Sequence, residues 1–110
     1  MGGAHRTGPL GSWVRRPVVV VQGDAFNRSR LATVACVPLT SNLRGAEAPG
    51  NVRLSSRVTG LPHDSVANVS QIAALDRGVL VDRVGRLSSA RLGLVLGGID
   101  VMLGRVVPPA

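Results

Sequence analysis

Residues 17–22, PVVVVQ, set four valines in a row between a proline and a glutamine. A β-branched side chain is crowded against the preceding turn of a helix and fits a pleated surface, so the run predicts a strand. Because it does not alternate, it offers no polar face, and the strand must be covered on both sides or nearly so. A chain of 110 residues has room for one domain, so its neighbours have to come from that same domain. Residues 31–39, LATVACVPL, supply a second strand, and the turn-forming DAFNRS at 24–29 joins the two into a predicted hairpin.

The remaining segments extend this sheet. Residues 40–50, TSNLRGAEAPG, are polar with glycine and proline and read as a loop at the sheet rim. NVRL at 51–54 and SVANVSQI at 65–72 alternate apolar and polar residues, predicting two half-buried strands around a turn at Gly60, Leu61 and Pro62. Asp76 caps a predicted single helical turn reaching Leu80, and VDRVGRL at 81–87 returns as a strand. Ser88 and Ser89 offer an N-cap for a terminal helix running to Leu103. Gly93, Gly97 and Gly98 weaken that helix by about 1 kcal/mol each against alanine, or permit close contact with the sheet. Pro108 and Pro109 stop it. Residues 1–14 lack an apolar period and read as a flexible or divergent arm, with GPLGS at 8–12 as a loop. The expected architecture is therefore mainly β with a C-terminal helix: a small, partly open, SH3-like antiparallel barrel over residues 15–104, followed by a tail at 105–110.

Charge narrows the function. The net charge is +7, and all 13 basic residues are arginines. The planar guanidinium matches phosphate oxygens and keeps its charge at any working pH, so the excess points to a polyanion, with nucleic acid the default. Any single arginine is equally compatible with a solvated surface. Trp13 and Phe26 are the only aromatic residues, which argues against modules that grip bases on aromatic platforms. Cys36 is alone, and His5, His63 and six scattered carboxylates show no ligand spacing, so neither a disulfide, a metal nor a cofactor is expected. No apolar run reaches the roughly 18 residues of a membrane span, and no secretory leader is legible, so no membrane partner is expected and a cytoplasmic location is.

Two short segments carry candidate chemistry. RRP opens the valine strand at residues 15–17, and PLTSN closes its partner at 38–42. If the strands pair antiparallel, these ends share one rim, and the Arg16 guanidinium and Thr40 hydroxyl can converge on one phosphate. On pattern alone the plain structural roles, an edge arginine and a threonine satisfying the next turn, are the more ordinary reading.

The ordered series RRPVVVVQ, FNRSRLATV, VPLTSN, APGNV, DSVANVSQI and DRVGRL resembles the MazF/PemK toxins from Arg15 to about Leu103. The resemblance implies an SH3-like barrel homodimer that cleaves single-stranded messenger RNA at short sequences, leaves a cyclic phosphate, needs no metal, and is silenced by a MazE-like antitoxin lying in the RNA groove. It places the catalytic pair on Arg16 and Thr40. Arg16 would stabilise developing oxyanion charge, and Thr40 would donate a hydrogen bond to a nonbridging oxygen. Arg15, Ser41, Asn42 and Arg44 are further candidates for RNA contact. Asn27, Asp64, Ser65 and Gln71 are expected to make turn and strand-end hydrogen bonds. His63 follows a proline in a turn, and the family pattern places no catalytic histidine there.

The likeness breaks at the N-terminus. The family's first strand, with its R-G-D/E-aromatic pattern, is expected to be missing or altered here, and only Gly8, Pro9, Gly11 and Ser12 resemble the loop that follows it. Its loss would leave an unpaired sheet edge. Two alternatives to an active nuclease therefore stay open: an inert copy that still captures antitoxin, and a toxin of related fold that binds DNA gyrase.

Overall fold

In a computed structural model of the protein, which describes residues 4–7, 14–23, 30–82 and 84–105, the first three valines of the run, Val18 to Val20, end strand β2 (Val14–Val20), preceded by β1 (Ala4–Thr7). Burial of β2 on both faces is borne out. Val19 is fully buried among Val37, Leu39, Leu54 and Val95, and Val18 is buried on the opposite face against Val34 and Cys36. The second hairpin strand is β3 (Thr33–Thr40), antiparallel to β2 with Val18 opposite Pro38 and Val20 opposite Cys36. The turn expected at 24–29, Asn27 included, lies outside the described residues. Burial pushes the Cys36 thiol up to about 11, so it stays neutral and acts as a small packing group.

Beyond β3, the chain makes a 3-10 turn (Leu43–Glu47), then β4 (Val52–Leu54), a single helical turn α1 (Ser56–Thr59), and β5 (Ser65–Ala67). It continues through β6 (Ala73–Asp76) and β7 (Leu80–Asp82) to the terminal helix α2 (Ser89–Met102). The sheet order is β4-β5-β3-β2-β1-β7, with β6 on β3. The outer edge of β3 is shared: β6 pairs with residues 33–36, and β5 pairs with Leu39 and Thr40. The segment that leaves β3 as β6 reaches β1 as β7, so it touches both ends of a ladder that is not closed.

Four expectations are corrected. The strand read over 81–87 is confined to β7, which begins at Leu80 and ends at Asp82, and residues 84–88 form neither strand nor helix. The strand read over 65–72 stops at Ala67, because the Val69 amide donates to the Asn51 side chain at 3.1 Å and the backbone turns through a 3-10 segment (Val69–Gln71). The chain resumes as β6, whose sequence AALD has little strand propensity; the open edge of β3 decides its state. Asp76 stands before the predicted turn but makes no side-chain cap, and the Arg77 amide donates instead to the Ala32 carbonyl at 2.9 Å.

The N-terminal arm holds the fourth difference. Residues 4–7 form β1, paired on one side with β2, Ala4 opposite Pro17 and Thr7 opposite Val14, and on the other with β7. The first strand is thus present in altered form. Its sequence, AHRT, gives no apolar signal, because what places it is backbone pairing along an exposed edge of β2.

Helix α2 begins as expected. The Arg91 amide donates to Ser88 Oγ at 3.2 Å, and Val95 is buried with Leu92, Ile99 and Met102 against the core. Of its three glycines, only Gly98 makes a close approach. A Cβ there would fall on the carbonyl oxygen of Gly50, whereas Gly93 and Gly97 face open space. Gly50 itself has φ of +87°, a conformation that favours glycine, so the two backbones meet where neither residue can carry a side chain. No helix of the described residues is long and apolar enough to cross a membrane.

Candidate active site

The β2/β3 register puts the start of one strand beside the end of the other. Continuing from Val18 opposite Pro38 sets Arg16 opposite Thr40. Both line a cleft of about 330 Å³ together with Ser41, Leu61, Pro62 and His63. The Arg16 side chain is exposed at this rim and Thr40 is half-buried, held on its other side by pairing with Val66 of β5.

Hydrogen bonding at Thr40 has a direction. The Asn42 amide donates to Thr40 Oγ1 at 3.1 Å, filling a lone pair and leaving the hydroxyl proton to be donated elsewhere. Asn42 is itself turned to structural use: its Oδ1 accepts from the Arg44 amide at 3.1 Å and caps the 3-10 turn. Asn42 and Arg44 are exposed but do not line the cleft, and of the loop candidates only Ser41 does. The Arg15 backbone pairs with Arg6 in β1, and its side chain falls outside the described part of the structure.

The loop bearing Arg44 is braced from behind. Asn51 Nδ2 donates to the Gly45 carbonyl at 2.9 Å and to Asn68 Oδ1 at 3.1 Å, while its Oδ1 accepts from Val69. One side chain therefore ties the 3-10 turn to the end of β5. Within APGNV, Asn51 carries no chemistry of its own, which is why the sequence reading passed over it.

The opposite wall of the cleft was also missed. Helix α1 ends at Gly60, whose φ of +76° turns the chain so that Leu61, Pro62 and His63 face Arg16 and Thr40. The Leu61 amide donates to Thr59 Oγ1 at 3.1 Å. Asp64 accepts from the Ser56 amide at 2.9 Å and from Arg53 at 3.2 Å, and these two donors hold its carboxyl below the ordinary carboxylate value. Ser65 Oγ donates to the His63 carbonyl at 3.5 Å, so the hydrogen bonds expected of Asp64 and Ser65 are present. Gln71 is exposed on the 3-10 turn (Val69–Gln71), where its amide donates to Asn68. The signal that could have found this wall is topological: a turn just before a strand antiparallel to β3 has to lie near the end of β3.

Among the described residues, no three His, Cys, Asp or Glu side chains gather as a metal site. What the cleft presents is one permanent cation, the hydroxyls of Thr40, Ser41 and Ser65, and an imidazole beside apolar surface. That set suits binding a phosphodiester and stabilising negative charge that grows on it.

Comparison with known proteins shows the family and the fold. Residues 11–103 match the model of a family described as the PemK-like, MazF-like toxin of type II toxin-antitoxin systems. The endoribonuclease MazF6 of Mycobacterium tuberculosis is 47% identical over 89 residues, covering 81% of this chain and 78% of the relative. The solved structure of the Mycobacterium tuberculosis toxin MazF-mt6 superposes with a TM-score of 0.75 at 20% identity, over 93% of this chain and 96% of that one. A structure of a mycobacterial endoribonuclease in complex with its cognate antitoxin gives 0.75 at 26% identity, over 97% of this chain and 96% of that one.

Proposed function

The chain belongs to the PemK-like, MazF-like toxin family, and from that premise we propose that it is a sequence-selective endoribonuclease that cuts single-stranded messenger RNA without a metal ion. The observation that carries the reading is the convergence of Arg16 and Thr40 on one cleft. Its relatives are named endoribonucleases.

The reaction is a transesterification. The RNA 2′-hydroxyl loses its proton to solvent as its oxygen bonds to the adjacent phosphorus, the bond from phosphorus to the 5′-oxygen breaks and that oxygen takes a proton from solvent, and a cyclic phosphate remains on the upstream fragment. Arg16 offsets negative charge on the nonbridging oxygens as the transition state forms. Thr40, with its lone pair engaged by Asn42, directs its proton to one of those oxygens. Ser41 contacts the same phosphate region, and Arg15 and Arg44 attract the flanking backbone. The protein works in the cytoplasm as a homodimer and is held inactive by a cognate antitoxin, a partnership supported by the complex seen for its mycobacterial structural neighbour. Pairing of β1 with β2 supports the active-nuclease reading over the inert-copy alternative.

The test is to incubate the purified chain with long single-stranded RNA in the presence of EDTA, then map the cut ends and their end groups. Discrete cuts at a shared short sequence, with cyclic phosphate termini, are the expected result. Intact RNA, or cuts that appear only when divalent cation is restored, would refute the reading.

A further inference from the structure

The two walls of the cleft differ in kind. Arg16, Thr40 and Ser41 bring charge and hydroxyls beside Pro17 and Leu39, which suits a phosphate, whereas Leu61 and Pro62 offer apolar surface that a phosphate cannot use, beside a Ser65 hydroxyl that is turned to the His63 carbonyl. His63 sits at the same wall with its side chain exposed. Its carbonyl accepts from Ser65, but the imidazole makes no hydrogen bond or ion pair among the described residues. The backbone beneath it is fixed by the Asp64 contacts and by pairing of Ser65 with Leu54. The wall is thus a rigid ledge carrying a ring whose two nitrogens are uncommitted.

A nucleobase has the complementary character: flat apolar faces and an edge of donors and acceptors. Unstacked RNA bases are recognised by ring stacking and by hydrogen bonds to that edge. Trp13 and Phe26 lie outside the described residues, and among the described residues His63 supplies the one conjugated ring lining the cleft. A neutral imidazole presents one donor and one acceptor, so it can distinguish bases by their edge pattern. At about 330 Å³ the cleft lies at the small end of the range for ligand sites, consistent with a single nucleotide.

We infer that Leu61, Pro62 and His63 receive one nucleobase adjoining the scissile phosphate, and that His63 determines which base is accepted there. The inference rests on the nuclease reading and adds the position at which part of its selectivity is read.

The test maps cut ends on a randomised RNA pool for the wild-type chain, His63→Ala and His63→Gln. Because His63 is exposed, both variants should fold, which thermal unfolding verifies. The expected result is relaxed or altered base preference at one position beside the cut, with preference elsewhere retained and kcat/KM at the wild-type sequence roughly tenfold lower, as for loss of one base contact. If the wild type cuts and both variants keep its preference at every position, the inference falls while the nuclease reading stands. If the wild type cuts nothing, both fall together.

Discussion

Arg16 stands opposite Thr40 across the β2/β3 pair, two residues beyond the Val18–Pro38 partnership, with both side chains on one cleft. A cation from a strand start and a hydroxyl from a strand end thereby reach the same place, although 24 positions separate them in the chain. If they stabilise the same transition state, Arg16→Ala and Thr40→Ala should each lower kcat by about a hundredfold or more. The double variant should lose less than the product of the two effects, because both act on one group of oxygens. Thermal midpoints should hardly move for Arg16→Ala, since that side chain is exposed. Single-turnover cleavage beside thermal unfolding checks both statements.

Asn51 makes three hydrogen bonds that join the Arg44-bearing turn to the end of β5. Asn51→Ala should lower stability by about 2–3 kcal/mol, because it leaves the Gly45 carbonyl and the Val69 amide without their partner. Urea unfolding measures this, and an unchanged midpoint would mean that the three bonds are dispensable.

Two glycines of the same helix should behave oppositely. Gly98→Ala puts a methyl group on the Gly50 carbonyl, so helix α2 has to shift from the core, at a cost of about 3 kcal/mol or more. Gly97→Ala meets nothing within 4 Å and should stabilise the helix by about 0.5–1 kcal/mol. Chemical denaturation of the pair, with wild type as reference, decides it by sign.

Asp64 links the His63 ledge to α1 and to Arg53. Its carboxyl is held below the ordinary 3.8, first by the Ser56 amide and then by Arg53. The folded state therefore favours the ionised form, and the stabilisation is complete above 3.8 and fades as acid titrates through the lowered value. Asp64→Asn should accordingly be less stable than wild type near neutrality, and the gap should narrow in strong acid. Thermal midpoints across a pH series report it, and a gap that is constant with pH would contradict the assignment.

How far the sequence could be read follows from the range of the forces involved. The valine run, the Ser88 cap and the hairpin rest on side-chain shape, local hydrogen bonding and turn chemistry, which neighbouring residues settle among themselves. Arg16 and Thr40 were also legible, because antiparallel pairing of adjacent strands leaves little freedom over which ends meet. By itself, then, the sequence determined a two-sided buried strand, a mainly β domain with a terminal helix, and one rim of the cleft.

Tertiary structure decided the rest. AHRT and AALD carry no strand signal, and each becomes a strand because an open backbone edge needs partners. The fit of Gly50 to Gly98 depends on two segments almost fifty residues apart. The ledge of Leu61, Pro62 and His63 faces Arg16 only because β5 pairs with the end of β3. Such relationships are made between segments distant in sequence, by backbone hydrogen bonds and close packing that no local pattern of residue types encodes.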